Sequence, residues 1–279
     1  MFFARHRRNH ASLATVPLIW IALAALALLW RPTAAMPAVL YDGAAGGTPD
    51  SQQMLYVATG EGFLSPPVAA TQSYAAGRTT LKTDLHQGDF AGYSPADGAA
   101  PTLDRTLGFT LTFTVQIVNQ SNTSQDRAGF SVLMLSEDLR GIELGFWEDQ
   151  IWAQDDDPLF KRAEFVATDT ARLVTYDLAV LGDSYTLRGG GAALSGGLRS
   201  YQASPFPVYH RPSMVFLGDN SSRGGAEVRL AGVAVSLGTP APSATATKTP
   251  TATVTPSATA TSTATATMTS SATATSTAT

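Results

Sequence analysis

Two tryptophans, Trp147 and Trp152, flank a Glu148-Asp149 turn in the stretch GFSVLMLSEDLRGIELGFWEDQIWAQ, residues 129–154. An exposed indole stacks on a sugar ring, because C–H edges meet its negative π face over a large apolar area. Glu143, Glu148 and Gln154 are the nearest hydrogen-bonding side chains in the sequence. Together the five read as a carbohydrate platform. The competing reading plugs at least one of the rings into the core, in keeping with how buried tryptophan is on average. Asp155, Asp156 and Asp157 follow directly. Three adjacent carboxylates repel one another, and calcium would relieve that by taking carboxylate and carbonyl oxygens. Asp219-Asn220, after Met214–Leu217, is a second candidate contributor to such a site, although such a pair is more often simply a turn. The spacing matches no EF-hand loop, however, and acidic loops are ordinarily just solvated.

Catalytic constellations are harder to find. Hydrolysis of a glycosidic bond needs two carboxylates at a fixed separation, and no strand pattern here carries two acids on one face. The chain has six glutamates, of which only Glu143 lies inside a clear strand, where a solvated position is its ordinary fate. Outside the leader the histidines are His86 and His210, both in turn-rich sequence, and no Gly-x-Ser-x-Gly elbow, zincin motif or phosphate-cradling glycine loop occurs. The sequence therefore reads as a binding domain and not as an enzyme, with no catalytic residue assigned.

The elements that must position these residues are strands. Phe109 to Val118 alternates strictly, with Phe109, Leu111, Phe113, Val115 and Ile117 on one face and Thr110, Thr112, Thr114 and Gln116 on the other. In Phe130 to Leu135 both faces are apolar, which suits the middle of a sheet covered on both sides. Ile142–Trp147 and Ile151–Gln154 complete a meander. Further strands are expected at Met54–Val57, Thr79–Leu85, Ala163–Thr168, Leu173–Leu181, Tyr185–Arg188, Met214–Leu217 and Val228–Leu237, with Gly182-Asp183 as a hairpin turn. Gly88–Thr102 and the glycine-rich run after Arg188 read as loops. Many short strands between turns, with no sustained helical period, predict an all-β antiparallel sandwich of jelly-roll type.

Three segments of different composition bound this domain. Residues 1–35 join a basic start (Arg5, Arg7, Arg8) to an apolar run at 16–30 and the small residues Thr33-Ala34-Ala35. That is a signal peptide, too short in its apolar run for a spanning helix; an uncleaved N-terminal membrane anchor is the alternative. Residues 36–238 form the jelly roll, a size of about 200 residues that suits one sandwich. From residue 239 threonine takes nearly every second position, and a unit starting PSATAT recurs at Pro242 and Pro256. Alanine buries too little apolar area to offset ordering, so 239–279 reads as a disordered Thr/Ala/Ser/Pro-rich stalk. No apolar anchor follows it, which leaves the mode of attachment open. The chain contains no cysteine, so neither disulfides nor thiolate metal sites hold it. All 22 acids but only thirteen of the 18 Lys and Arg fall within 36–238, which argues against nucleic acid as partner.

The runs GFSVLMLSED, GIELGFWEDQIWAQ, YTLRGGGAALSGGLRSY and FLGDNSSRGGAEVRL, in that order, resemble bacterial secreted choice-of-anchor domains, of the type Y group. The similarity spans Leu107 to Leu237. That resemblance implies kinship with concanavalin A-like lectin and glucanase jelly rolls and surface attachment by varied C-terminal devices; it implies no established activity. The combined expectation is a secreted or cell-surface, non-enzymatic domain that binds glycan or another extracellular ligand. A carbohydrate-active hydrolase with an unrecognised carboxylate pair, and a purely structural adhesion or matrix component, are the alternatives.

Overall fold

The structure, a computed structural model, describes residues 36–60 and 65–238. The expected signal peptide and the expected stalk lie outside the described residues. What is described is almost wholly antiparallel β-structure in two sheets, a sandwich of jelly-roll type as the strand patterns require. The first sheet runs β13 (Ala192–Gly197), β12 (Ser184–Gly189), β11 (Val174–Leu181), β6 (Phe109–Asn122), β15 (Gly224–Leu237), β4 (Arg78–Lys82), β3 (Thr71–Ala75), with β1 (Ala38–Asp42) also paired to β15. The second runs β10 (Leu159–Ala167), β9 (Gln150–Asp156), β8 (Gly141–Trp147), β7 (Ser131–Leu135), β14 (Val215–Asp219), β5 (Phe90–Pro95), β2 (Met54–Thr59).

Period two decides which residues meet between the sheets. Phe109, Leu111, Phe113, Val115 and Ile117 of β6 are buried in the main core, and the residues between them are only partly covered. Across the core the rings of Phe113, Phe146 and Tyr176 lie 5.5–5.9 Å apart, edge-on or stacked as ring quadrupoles prefer.

β7 is the central strand of the second sheet, and it explains the run of apolar residues on both faces. Val132 and Met134 enter the main core, whereas Leu133 and Leu135 enter a second, smaller cluster on the outer side with Tyr201, Tyr209, Met214 and Phe216. The segment Tyr201–Met214, with short 3₁₀ turns at Tyr201–Ala203 and Pro207–His210, supplies that cover. The roofed outer face of this sheet also holds a buried polar cluster around Glu143.

A stretch expected to be loop, and another for which no strand was expected, are strands. Phe90–Pro95 is β5, nearly all buried, because Gly92 serves close approach and not a turn. A Cβ there would sit 2.4 Å from the Phe216 ring and 2.7 Å from the Leu217 carbonyl oxygen. Ala192–Gly197 is β13, an edge strand paired Leu194 to Leu187, whose small residues leave room for Glu164. The short strands β1 and β3 carried no sequence signal strong enough to place them.

Candidate functional site

The outer face of the second sheet presents alternate residues of each strand: Leu133 and Leu135 from β7, Glu143, Gly145 and Trp147 from β8, Trp152 and Gln154 from β9. Glu143 is fully buried, which corrects the expectation of a solvated strand position. Its carboxylate is held by groups from three other segments. Tyr209 donates its hydroxyl to Oε2 at 2.6 Å, and Asn220 donates Nδ2 to Oε1 at 3.2 Å and to the Tyr209 hydroxyl at 2.9 Å. Arg127, in the connection between β6 and β7, approaches Oε1 at 3.5 Å. The same guanidinium donates to the Asn220 carbonyl oxygen and Oδ1 at 3.2 and 3.0 Å. A charge taken out of water persists only when paired and hydrogen-bonded in this way.

Burial drives the Tyr209 and Tyr201 hydroxyls well above their ordinary range, with the nearby Glu143 carboxylate adding to the effect, so both remain donors. Tyr201 bridges strands, accepting from the Glu143 N–H at 3.1 Å and donating to the Gln154 carbonyl oxygen at 2.7 Å. Phe160, at the tip of the β9–β10 hairpin, holds a left-handed backbone (φ 60°) that a bulky residue rarely adopts. Its ring packs against Tyr201 and Tyr209, and the Arg127 guanidinium lies 4.5 Å from its centroid.

Two cavities flank this network. One, of about 240 Å³, lies between the strands β2, β5 and β14 and the Phe206–Arg211 segment; Val57, Phe216 and Tyr209 line it. The other, of about 310 Å³, lies toward the β9–β10 tip and is lined by Arg127, Lys161 and the Ser221–Arg223 loop. Phe90, Phe206 and Asn220 line both.

The tryptophan pair is placed differently from the expected platform. Trp152 is fully buried, because its ring fills the space that Gly145 leaves open; a Cβ on Gly145 would be 2.6 Å from it. Trp147 is half-buried, packs edge-on against Trp152 at 4.8 Å and donates Nε1 to the Arg127 carbonyl oxygen at 3.3 Å. The Arg162 guanidinium covers both rings at 5.1–5.2 Å. Two open indole faces are therefore not available side by side. Gln154 is buried and donates to the Asp126 carbonyl oxygen, while Glu148 stays partly exposed in its turn.

The expected calcium site is not assembled either. Asp155 faces Arg199 at 3.4 Å, Asp156 accepts from the Ser200 N–H at 2.8 Å, and Asp157 is exposed. Asp219 belongs to β14, which β7 and β8 separate from β9, so three inter-strand spacings of about 4.8 Å each stand between them. Among the described residues no group of three or more His, Asp or Glu is placed to hold a metal ion.

Asp219 instead is a buried acid on its own. Burial pushes its carboxyl well above the ordinary range, against the opposing pull of the Thr83 hydroxyl, the Ser221 N–H and Arg127. A folded pKa above the unfolded value contributes stability at low pH, and that contribution is lost as pH rises from about 4 through the folded pKa. Asp219→Asn keeps the shape and cannot ionise. Its stability relative to the parent chain is expected to rise between pH 4 and pH 8 in urea unfolding; a difference that stays flat over that range would mean that Asp219 is not perturbed.

Arg127, Tyr201, Tyr209, Phe90 and Phe206 were not singled out from sequence. Asn220 was visible as a turn residue next to Asp219 and as a candidate calcium contributor, not as a partner of Glu143. The aromatic density of YQASPFPVYH, residues 201–210, was the one available signal, since exposed loops rarely carry so many rings.

No protein-family model matches the chain, and no curated protein matches it in sequence. Solved structures do. A carbohydrate esterase from the Shiga toxin-encoding bacteriophage phi24B superposes with a TM-score of 0.51 at 11% identity, over 73% of this chain and 99% of that one. An endo-1,3-β-glucanase from Streptomyces sioyaensis gives 0.44 at 10%, over 75% and 99%, and a family 7 alginate lyase gives 0.41 at 12%, over 67% and 93%. The likeness to the esterase shows the fold. It also corrects the expectation that the chain is not an enzyme, because the esterase, an enzyme, carries this same fold.

Proposed function

We propose that this chain is an exported, surface-displayed jelly-roll domain that engages glycan on the outer face of its second sheet. The observation that carries the reading is the pair of adjoining cavities sharing Phe90, Phe206 and Asn220. The first cavity is mainly apolar and aromatic in lining and the second adds charged and hydroxyl groups; such a combination suits a sugar ring, which offers C–H faces to aromatic rings and hydroxyls to fixed donors and acceptors. Asn220, Tyr209 and Arg127 are held rigidly by the Glu143 network, so little ordering is needed when ligand arrives. The leader-like residues 1–35 and the resemblance to choice-of-anchor domains support export and display. Carbohydrate as ligand also accords with the carbohydrate esterase that carries this fold.

A glycan array probed with the full chain tests this. At least one oligosaccharide class is expected to bind, and Phe206→Ala, which strips a ring shared by both cavities, is expected to weaken the signal roughly tenfold, the size of one lost aromatic anchor. Failure of every glycan class to bind would remove the reading.

A further inference from the structure

Although acids outnumber bases over residues 36–238, one cavity reverses that sign. Arg127, Lys161 and Arg223 line the 310 Å³ cavity, and Asp126 is the single acid among its lining residues. Asp126 is already engaged: Lys161 Nζ lies 2.8 Å from its Oδ2, and the Arg162 N–H donates to Oδ1 at 3.2 Å. Those contacts, Lys161 first, hold its carboxyl below the ordinary range despite partial burial. Arg223 is exposed and makes no ion pair among the described residues. Arg127 meets its one carboxylate, Glu143, at a long 3.5 Å through Nη2, and its Nη1 is buried with no hydrogen-bond acceptor. A buried guanidinium donor left unmade is costly, and it marks a place where an oxyanion would be welcome.

Resting on the glycan reading above, we infer that this cavity is a subsite for an anionic sugar, one bearing a carboxylate or a sulfate ester. Arg127 is locked in place by both Asn220 oxygens and the Phe160 ring, so its planar fork is oriented before ligand binds. Arg223 supplies the unpaired charge, Lys161 being held by Asp126, and Ser221 and Ser222 also line the cavity. An anionic glycan is also the partner for which a local positive field on an otherwise acidic domain gives selectivity, since the remaining surface repels it.

The test is calorimetry of the full chain with three hexasaccharides of matched length: one of uronic acids, one sulfated and one neutral. Binding of an anionic probe is expected, weakening as salt is raised. Arg223→Ala should weaken it about fivefold and Arg223→Glu more, with urea unfolding unchanged because Arg223 is exposed. Binding by the uronic probe alone or the sulfated probe alone identifies the anion; binding by both supports the shared chemistry. Neutral and anionic probes bound equally, or anionic binding indifferent to both Arg223 variants, would overturn the inference and leave the glycan reading standing. No hexasaccharide binding at all, together with a blank array, would overturn both.

Discussion

Glu143→Ala is expected to lower the unfolding free energy by about 3–5 kcal/mol, the cost of leaving a buried partner charge uncompensated. Glu143 is fully buried and accepts from Tyr209 and Asn220 while facing Arg127. Removing it leaves the Arg127 guanidinium with the Asn220 oxygens and the Phe160 ring but no carboxylate, and deprives the Tyr209 hydroxyl of its acceptor. The truncated side chain contributes only part of that cost. A Glu143→Met, Arg127→Met double variant separates the two effects: if desolvated charge dominates, the double variant recovers a large share of the loss, because well-packed apolar replacements of a buried pair are often neutral. Urea unfolding followed by tryptophan fluorescence reads the difference. A loss below about 1 kcal/mol, the range of an exposed pair, would show that water reaches Glu143.

Trp152→Ala is expected to cost about 3–5 kcal/mol, as large-to-small changes of buried aromatics do. The ring occupies the space over Gly145, packs against Trp147 and lies beneath Arg162, and the strands on either side cannot close over the void without breaking their registers. Trp147→Ala should cost clearly less, because Trp147 is only half-buried. The two variants thus rank the rings by thermal midpoint. Equal losses would mean that Trp152 is as open as the sequence-based platform required.

How much of this was legible in sequence follows from which signals are local. Alternation in Phe109–Val118 and the doubly apolar run Phe130–Leu135 revealed the sandwich and its central strand, because a period of two survives whatever packs above it. β5 was lost because Gly88, Gly92 and Gly98 read as turns, whereas Gly92 answers to Phe216, a residue more than a hundred positions away. The same distance rule governs the site. Glu143 was legible as the one acid in a clear strand, but its burial depends on Tyr209, which arrives from a roofing segment. Trp147 and Trp152 were legible as neighbours, and burial of at least one ring was the competing reading, which Trp152 follows; the cover supplied by Arg162 was not legible. The acids Asp155–Asp157 looked unbalanced only because Arg199 and Ser200 lie some forty residues later. Sequence reasoning found residues that local pattern singles out, and missed partners supplied by chain return.

The claim that glycan sits in the paired cavities on the outer face of the second sheet has a direct measurement. Backbone amide NMR spectra of isotope-labelled full chain, titrated with the oligosaccharide giving the strongest array signal, should shift resonances around Phe90, Arg127, Phe206 and Asn220 and leave β11, β12 and β13 unmoved. Shifts concentrated on those three strands of the first sheet, with Phe90, Phe206 and Asn220 silent, would contradict the assignment.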